Sequence, residues 1–166
     1  MEEIKKITLV TNDGIKKEVS KDLIMKSGLV KNTIQDFPEG NEIPLNEVKG
    51  DILDKILEYM THYEKEEPQE IANPLKSNDF KKCVSEWDYN FINQELNIVF
   101  EIMTAANFMD IPSLLDLCTA KVASFIIGKT SDEIRKTFNL KNDFGPGELE
   151  KLLEEHKDAL ENLKKN

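Results

Sequence analysis

Residues 96–138, LNIVFEIMTAANFMDIPSLLDLCTAKVASFIIGKTSDEIRKTF, constrain the fold more tightly than any other run, because they predict three consecutive helices carrying a surplus of apolar surface. In the first helix Leu96, Val99, Phe100 and Met103 recur at spacings of three and four, and Ile98, Ile102, Ala105 and Met109 form a second apolar stripe beside them. Little of the circumference is left polar. Asn97, Glu101 and Thr104 mark the wet side, and the next position on that line is Phe108. That ring either meets a partner or folds under the helix end into the core.

Asp110-Ile111-Pro112 interrupts the run, with Asp110 predicted as an N-cap and proline in the first turn, where its missing N–H is harmless. A second helix then carries Ile111, Leu114, Leu115, Cys118, Val122, Phe125 and Ile126 up to Gly128, the expected C-terminal cap. Leu117 and Ile127 fall off that stripe, so this helix reads as apolar on more than one face. Thr130 and Glu133 have capping-box spacing, which starts a third helix bearing Ile134 and Phe138.

A chain of 166 residues with 39% hydrophobic content is long enough for a real core. Its 22 basic against 32 acidic residues give a net charge of −10, which opposes nucleic-acid phosphate and anionic membrane as partners. The first residues, MEEIKKITLV, lack the apolar core of a signal peptide, and no run approaches a membrane span. A soluble intracellular protein is the expectation. Cys83 and Cys118 lack ligand or redox-motif spacing and are expected to be free thiols.

Ahead of the central run, Ile7–Thr11 and Ile15–Val19 flank the turn residues Asn12-Asp13-Gly14 and predict a β-hairpin. Ser20 is placed to cap a short helix with Leu23 and Ile24, and a second helix after Ser27-Gly28 carries Val30, Ile34 and Phe37 until Pro38 stops it. Glu42-Ile43-Pro44-Leu45 reads as an edge strand. After Gly50 a clear amphipathic helix puts Ile52, Leu53, Ile56, Leu57, Met60 and Tyr63 on one face. Periodicity then disappears over 64–82, a predicted mobile acidic loop, and Trp87 is expected in the core at its end. Beyond Asn142-Asp143-Phe144-Gly145-Pro146-Gly147, a last helix carries Leu149, Leu152, Leu153, Leu160 and Leu163, which either fold back or dock on a partner.

Catalytic patterns are missing from this sequence. His62 and His156 stand apart from any nucleophile or metal-ligand motif, and Glu64, Glu66 and Glu67 lie in a polar loop with no apolar pocket for acid catalysis. No enzyme, cofactor or metal is expected.

The run Ala105-Ala106-Asn107-Phe108-Met109-Asp110-Ile111, then Leu114-Leu115-Asp116, then Gly128-Lys129-Thr130 with Glu133-Ile134-Arg135-Lys136-Thr137-Phe138-Asn139 and Lys141-Asn142-Asp143-Phe144 resembles the S-phase kinase-associated protein 1 family. Weaker similarity in the hairpin, Ile43-Pro44-Leu45, Thr61-His62 and Trp87-Asp88 extends the resemblance over most of residues 4–144. These are small adaptors of cullin-based SCF ubiquitin ligases. The resemblance implies an α/β, mainly helical fold: a BTB/POZ-type three-stranded sheet with helices over 1–128, then a helical extension for F-box binding over 129–166. It implies cullin contact through Asn107 and Phe108, where the family's tyrosine is replaced by a ring without a hydroxyl. On the F-box side it implies Phe100, Leu115, Val122, Ile126, Ile134 and Phe138, each of which otherwise reads as ordinary core. The family's acidic turn and tryptophan-bearing tail are replaced here by Gly145-Pro146-Gly147 and a leucine-striped helix, and Pro146 falls near a proline that some protist relatives hydroxylate and glycosylate.

The leading expectation is therefore a non-catalytic bridge between a cullin and F-box proteins, self-associating when unpartnered. The alternative keeps the fold without the ligase: an elongin C-like or F-box-bound scaffold in a non-degradative assembly, or a self-associating BTB module. An enzyme built on Cys118 or a carboxylate pair is the third reading.

Overall fold

Alternation sets the sheet. In β1 (Lys6–Thr11) the side chains of Ile7, Leu9 and Thr11 point inward and are 1%, 0% and 4% exposed, as a period of two requires. The chain reverses through a turn in which Gly14, at φ +79°, donates to the Thr11 carbonyl at 3.0 Å, and returns antiparallel as β2 (Lys16–Ser20), setting Val19 opposite Ile7. On the other side of β1 runs β3 (Glu42–Leu45), parallel, with Ile43 opposite Leu9 and Leu45 opposite Thr11. The order β2-β1-β3 leaves β3 at an edge, where Pro44 is tolerated.

This computed structural model describes residues 6–77, 79–142 and 144–157, apart from the side chains of Leu149 and Leu153. Two compact units divide the chain, Met1–Gly128 and Lys129–Asn166.

In the first unit, Ser20 and Ser27 cap α1 (Lys21–Ile24) and α2 (Gly28–Asp36) through their side-chain oxygens. Helix α3 (Gly50–His62) covers the sheet with Ile52, Leu53, Ile56 and Met60, all at most 2% exposed. Its first amide is capped from afar: both Asp13 carboxylate oxygens accept from the Gly50 N–H, at 3.1 and 3.2 Å, while Thr11 donates to the same carboxylate. These hydrogen bonds, Thr11's first, hold the Asp13 carboxyl below its ordinary pKa of 3.8. Residues 64–77 are irregular, yet Ile71 and Leu75 pack against the core, and a 3₁₀ turn at Phe80–Lys82 buries Phe80. Helices α4 (Glu86–Ile92), α5 (Leu96–Phe108) and α6 (Pro112–Ser124) complete the unit. Among the described residues no helix is long and apolar enough to cross a membrane.

The second unit contains α7 (Ser131–Thr137) and α8 (Glu148–Glu155). None of its described residues is buried.

Several expectations are corrected. Phe37 does not join the face of α2; as its C-cap residue it is 70% exposed. Asp110 is not an N-cap but the left-handed residue that closes α5, at φ 52°, and Ile111 precedes α6 without a side-chain cap. Leu117 belongs to the core at 1% exposure, because α6 turns its Leu114, Leu117 and Cys118 side inward. Regular α-helix ends at Ser124; one further turn, with Ile127 donating to Ala123, leads to Gly128 at φ +72°. Trp87 is only half-buried, its ring stacked 3.7 Å from His62 on one side and 5.0 Å from Phe91 on the other. Leu160 and Leu163, with the side chains of Leu149 and Leu153, lie outside the described residues.

Candidate docking site

The end of α5 is built as a fixed corner. Ile111 donates to the Ala106 carbonyl at 2.9 Å and Asp110 to that of Asn107 at 3.2 Å, the hydrogen-bond pair of a Schellman closure. Such a closure needs one residue in the left-handed region. Aspartate is among the few non-glycine residues that adopt it readily, and Asp110 does so here. The N-terminus of α2 then clamps the corner: the Ser27 hydroxyl and the Leu29 N–H donate to the Met109 carbonyl, and the Gly28 N–H to that of Asp110 at 2.9 Å. A side chain at Gly28 would push the Asp110 carboxylate aside, since its Cβ would lie 1.8 Å from the Asp110 Oδ2.

On this corner Asn107 is exposed and Phe108 is half-buried, one side of its ring against the core and the other outward. Phe108 is thus neither sealed in the core nor fully in water. One turn earlier Thr104 is exposed, and two turns earlier Phe100 is exposed and Glu101 pairs with Lys49 at 2.9 Å, which raises the Lys49 ammonium above its usual pKa.

Along α6 the spacing of four, three and four aligns Leu115, Thr119, Val122 and Ile126 on one side. Leu115 and Val122 are half-buried and Ile126 is 43% exposed, so these positions and Phe100, at 36%, are not the ordinary core their apolarity suggested. Cys118, on the flank turned toward Leu114 and Leu117, is fully buried, and desolvation pushes its thiol up to about 12. Burial of this kind keeps the thiol protonated and away from water near neutral pH.

Sequence patterns missed Lys121. This lysine is 7% exposed, with its ammonium 5.2 Å from the ring centres of Phe80 and Phe125, 5.8 Å from that of Tyr89, and 3.5 Å from the Asn93 side-chain oxygen. Desolvation lowers its pKa. Phe80, Tyr89 and Asn93 come from distant sequence, and Phe125, four residues on, is the one ring of the cage nearby in the chain.

In the second unit the capping box forms: Glu133 donates its N–H to the Thr130 hydroxyl at 3.3 Å, and Thr130 donates its N–H to the Glu133 carboxylate at 2.8 Å, holding that carboxyl below its ordinary pKa. Ile134 and Phe138 follow one turn apart, both half-buried. Asn139 closes α7 at φ 51°, with Leu140 donating to Arg135 at 2.8 Å. Arg135 lies 5.8 Å from the ring centre of Phe144. Pro146 is exposed just before Gly147, from whose left-handed conformation α8 starts. Leu140, Phe144 and Leu152 are 57%, 36% and 43% exposed.

Residues 5–65 match the model of the Skp1 family, tetramerisation domain, and residues 112–159 that of the Skp1 family, dimerisation domain. A curated protein from Tetrahymena thermophila, S-phase kinase-associated protein 1 homolog, is 45% identical over 94% of this chain and 95% of its own length. The E3 ubiquitin ligase complex SCF subunits sconC of Arthroderma benhamiae and Aspergillus clavatus are 36% and 38% identical over 94% and 93% of this chain and 96% and 98% of theirs. Joined to a three-stranded POZ-type sheet under helices and a helical carboxy-terminal unit, these matches establish that the chain belongs to the Skp1 family.

Proposed function

We propose that this chain is a non-catalytic adaptor of an SCF-type cullin-RING ubiquitin ligase, joining a cullin to F-box substrate receptors for protein ubiquitination. The observation that carries the reading is the apolar stripe Leu115, Val122 and Ile126, along α6 and the turn after it, left partly in water by a fold that seals Leu114, Leu117 and Cys118 of the same helix. Such a face gains free energy only when a second apolar surface covers it. The receptor is assigned to Phe100, Leu115, Val122, Ile126, Ile134 and Phe138, and the cullin to Asn107 and Phe108.

The work done is geometric. The corner that presents Phe108 is fixed by backbone hydrogen bonds and clamped by Ser27 and Gly28, so a bound cullin keeps a set orientation to α5 and α6. Phe108→Lys should abolish capture by purified cullin while an F-box fragment still binds. Equal cullin capture by wild type and variant in a pull-down would remove Phe108 from the interface.

Without a receptor, the same face is expected to draw a second copy of the chain, which light scattering with and without an F-box fragment tests. The adaptor is assigned to cytoplasm and nucleus, and confinement of the tagged chain to another compartment would refute that. Pro146, exposed between two glycines, is assigned as a modified residue; an unmodified proline in peptide mass spectra of the protein from its own cells would remove it.

A further inference from the structure

A cavity of 390 Å³ lies between the irregular segment after α3 and the flank of α6. One wall is Ile71, Pro74 and Leu75, and the other is Ala120, Ala123 and Ile127. Asp116, Thr119 and Asn73 supply the polar groups of the lining. Its size is near the lower end of the roughly 300–1,000 Å³ typical of ligand pockets, which suits one or two large side chains.

Position on α6 identifies the occupant. The receptor stripe is Leu115, Thr119, Val122 and Ile126; the cavity stripe is Asp116, Thr119, Ala120, Ala123 and Ile127, displaced by one residue and sharing Thr119. One residue is a rotation of about 100° on a helix about 11 Å across, so the two stripes are adjoining faces separated by roughly 10 Å of surface. About three extended residues cross that distance. Asp116 is the only charged residue in the lining among the described residues, with Glu70 just before the wall segment and Lys76 just after it.

We propose that this groove receives the receptor chain just outside its F-box: an apolar side chain, accompanied by a basic residue facing Asp116, within about three residues of the segment seated on Leu115, Val122 and Ile126. The inference rests on the receptor assignment above and extends it to a contact that selects among receptors by their flanking sequence. Receptors sharing the same F-box but differing in the flank would then differ in affinity. The segment after α3, which carries no regular structure up to Ser77, becomes a recognition wall.

Calorimetry on the full chain with two probes tests this. One is an F-box receptor fragment trimmed to its F-box; the other is the same fragment with about ten natural residues on each side, more than the roughly three needed to reach the groove. The longer fragment should bind about tenfold more tightly, and Ala123→Trp, which fills the groove, or Asp116→Lys, which reverses its charge, should remove that gain while leaving the trimmed fragment's affinity unchanged. Unchanged affinity for the trimmed fragment also reports that each variant folds. Equal affinities of the two fragments for wild type, or a gain that survives both variants, would overturn the groove assignment and leave the receptor face standing. Failure of even the trimmed fragment to bind wild type would overturn both. Should Ala123→Trp instead abolish self-association in light scattering while the flanks add nothing, the groove belongs to a second copy and the proposal fails.

Discussion

The two units treat their apolar residues in opposite ways. In Met1–Gly128, Leu9, Ile24, Leu45, Leu53, Ile56 and Ile102 are all 0% exposed, closed between the sheet and helices α3 and α5. In Lys129–Asn166 no described residue is buried, and Leu140 is 57% exposed although its sequence is as apolar as many core positions. Hydrophobic residues are thus spent on stability in one unit and held in reserve in the other. Helix α6 and the turn after it show both uses side by side, with Leu114 and Cys118 sealed and Ile126 in water.

That contrast breaks most visibly under equivalent truncations. Ile102→Ala, in the sealed unit, should lower the free energy of unfolding by about 3 kcal/mol through lost burial and a residual cavity, as read from chemical denaturation. Ile134→Ala, the same chemical change in the other unit, should cost less than about 1 kcal/mol of stability yet weaken an F-box fragment about tenfold by calorimetry. Equal stability losses at the two sites would erase the distinction. Val122→Lys places a charge on the reserved side of α6 and should reduce fragment affinity further without unfolding the chain.

A smaller effect sharpens the picture within the sealed unit. Burial disfavours the Lys121 ammonium, so its pKa in the folded chain lies below the ordinary 10.5. Between the folded value and 10.5 the unfolded chain holds the extra proton, so stability rises as pH climbs through that window. Lys121→Met keeps the length and removes the charge; it should raise the melting temperature by about 2–4 °C at neutral pH, and the gain should shrink as pH approaches the ordinary lysine value. A drop at neutral pH would mean that the three rings stabilise the cation by more than its desolvation costs.

The smallest effect belongs to Asp13. Its folded pKa lies below 3.8, so its cap on α3 contributes fully above that pH and is lost as pH falls through the folded value. Asp13→Asn should melt below wild type at neutral pH, with the gap closing in acid. A gap independent of pH would show that charge is not what the cap uses.

These contrasts also explain what could be read in advance. The hairpin, the edge strand at Pro44, the inward face of α3 and the Thr130–Glu133 capping box all follow from neighbours within four residues or from strict alternation, and local patterns capture them. The three-and-four spacing likewise puts Leu115, Val122 and Ile126 on one side of α6. Exposure is another matter. Phe37, Phe100 and Ile126 are as hydrophobic as Ile102, and nothing local tells a reserved side chain from a buried one. Asp110 has the residue type of an N-cap, but the helix before it needed a left-handed closure and took the aspartate first. The Lys121 cage and the Asp13 cap were invisible because their partners lie 28 and 37 residues away, at Asn93 and Gly50.

Hydrogen–deuterium exchange on the full chain, free and bound to an F-box fragment, tests the division most directly. The account predicts fast exchange over Ser131–Thr137 in the free chain, slow exchange over Gly50–His62, and protection gained by the first segment alone when the fragment binds. Equal protection of the two helices in the free chain, unchanged by the fragment, would contradict it.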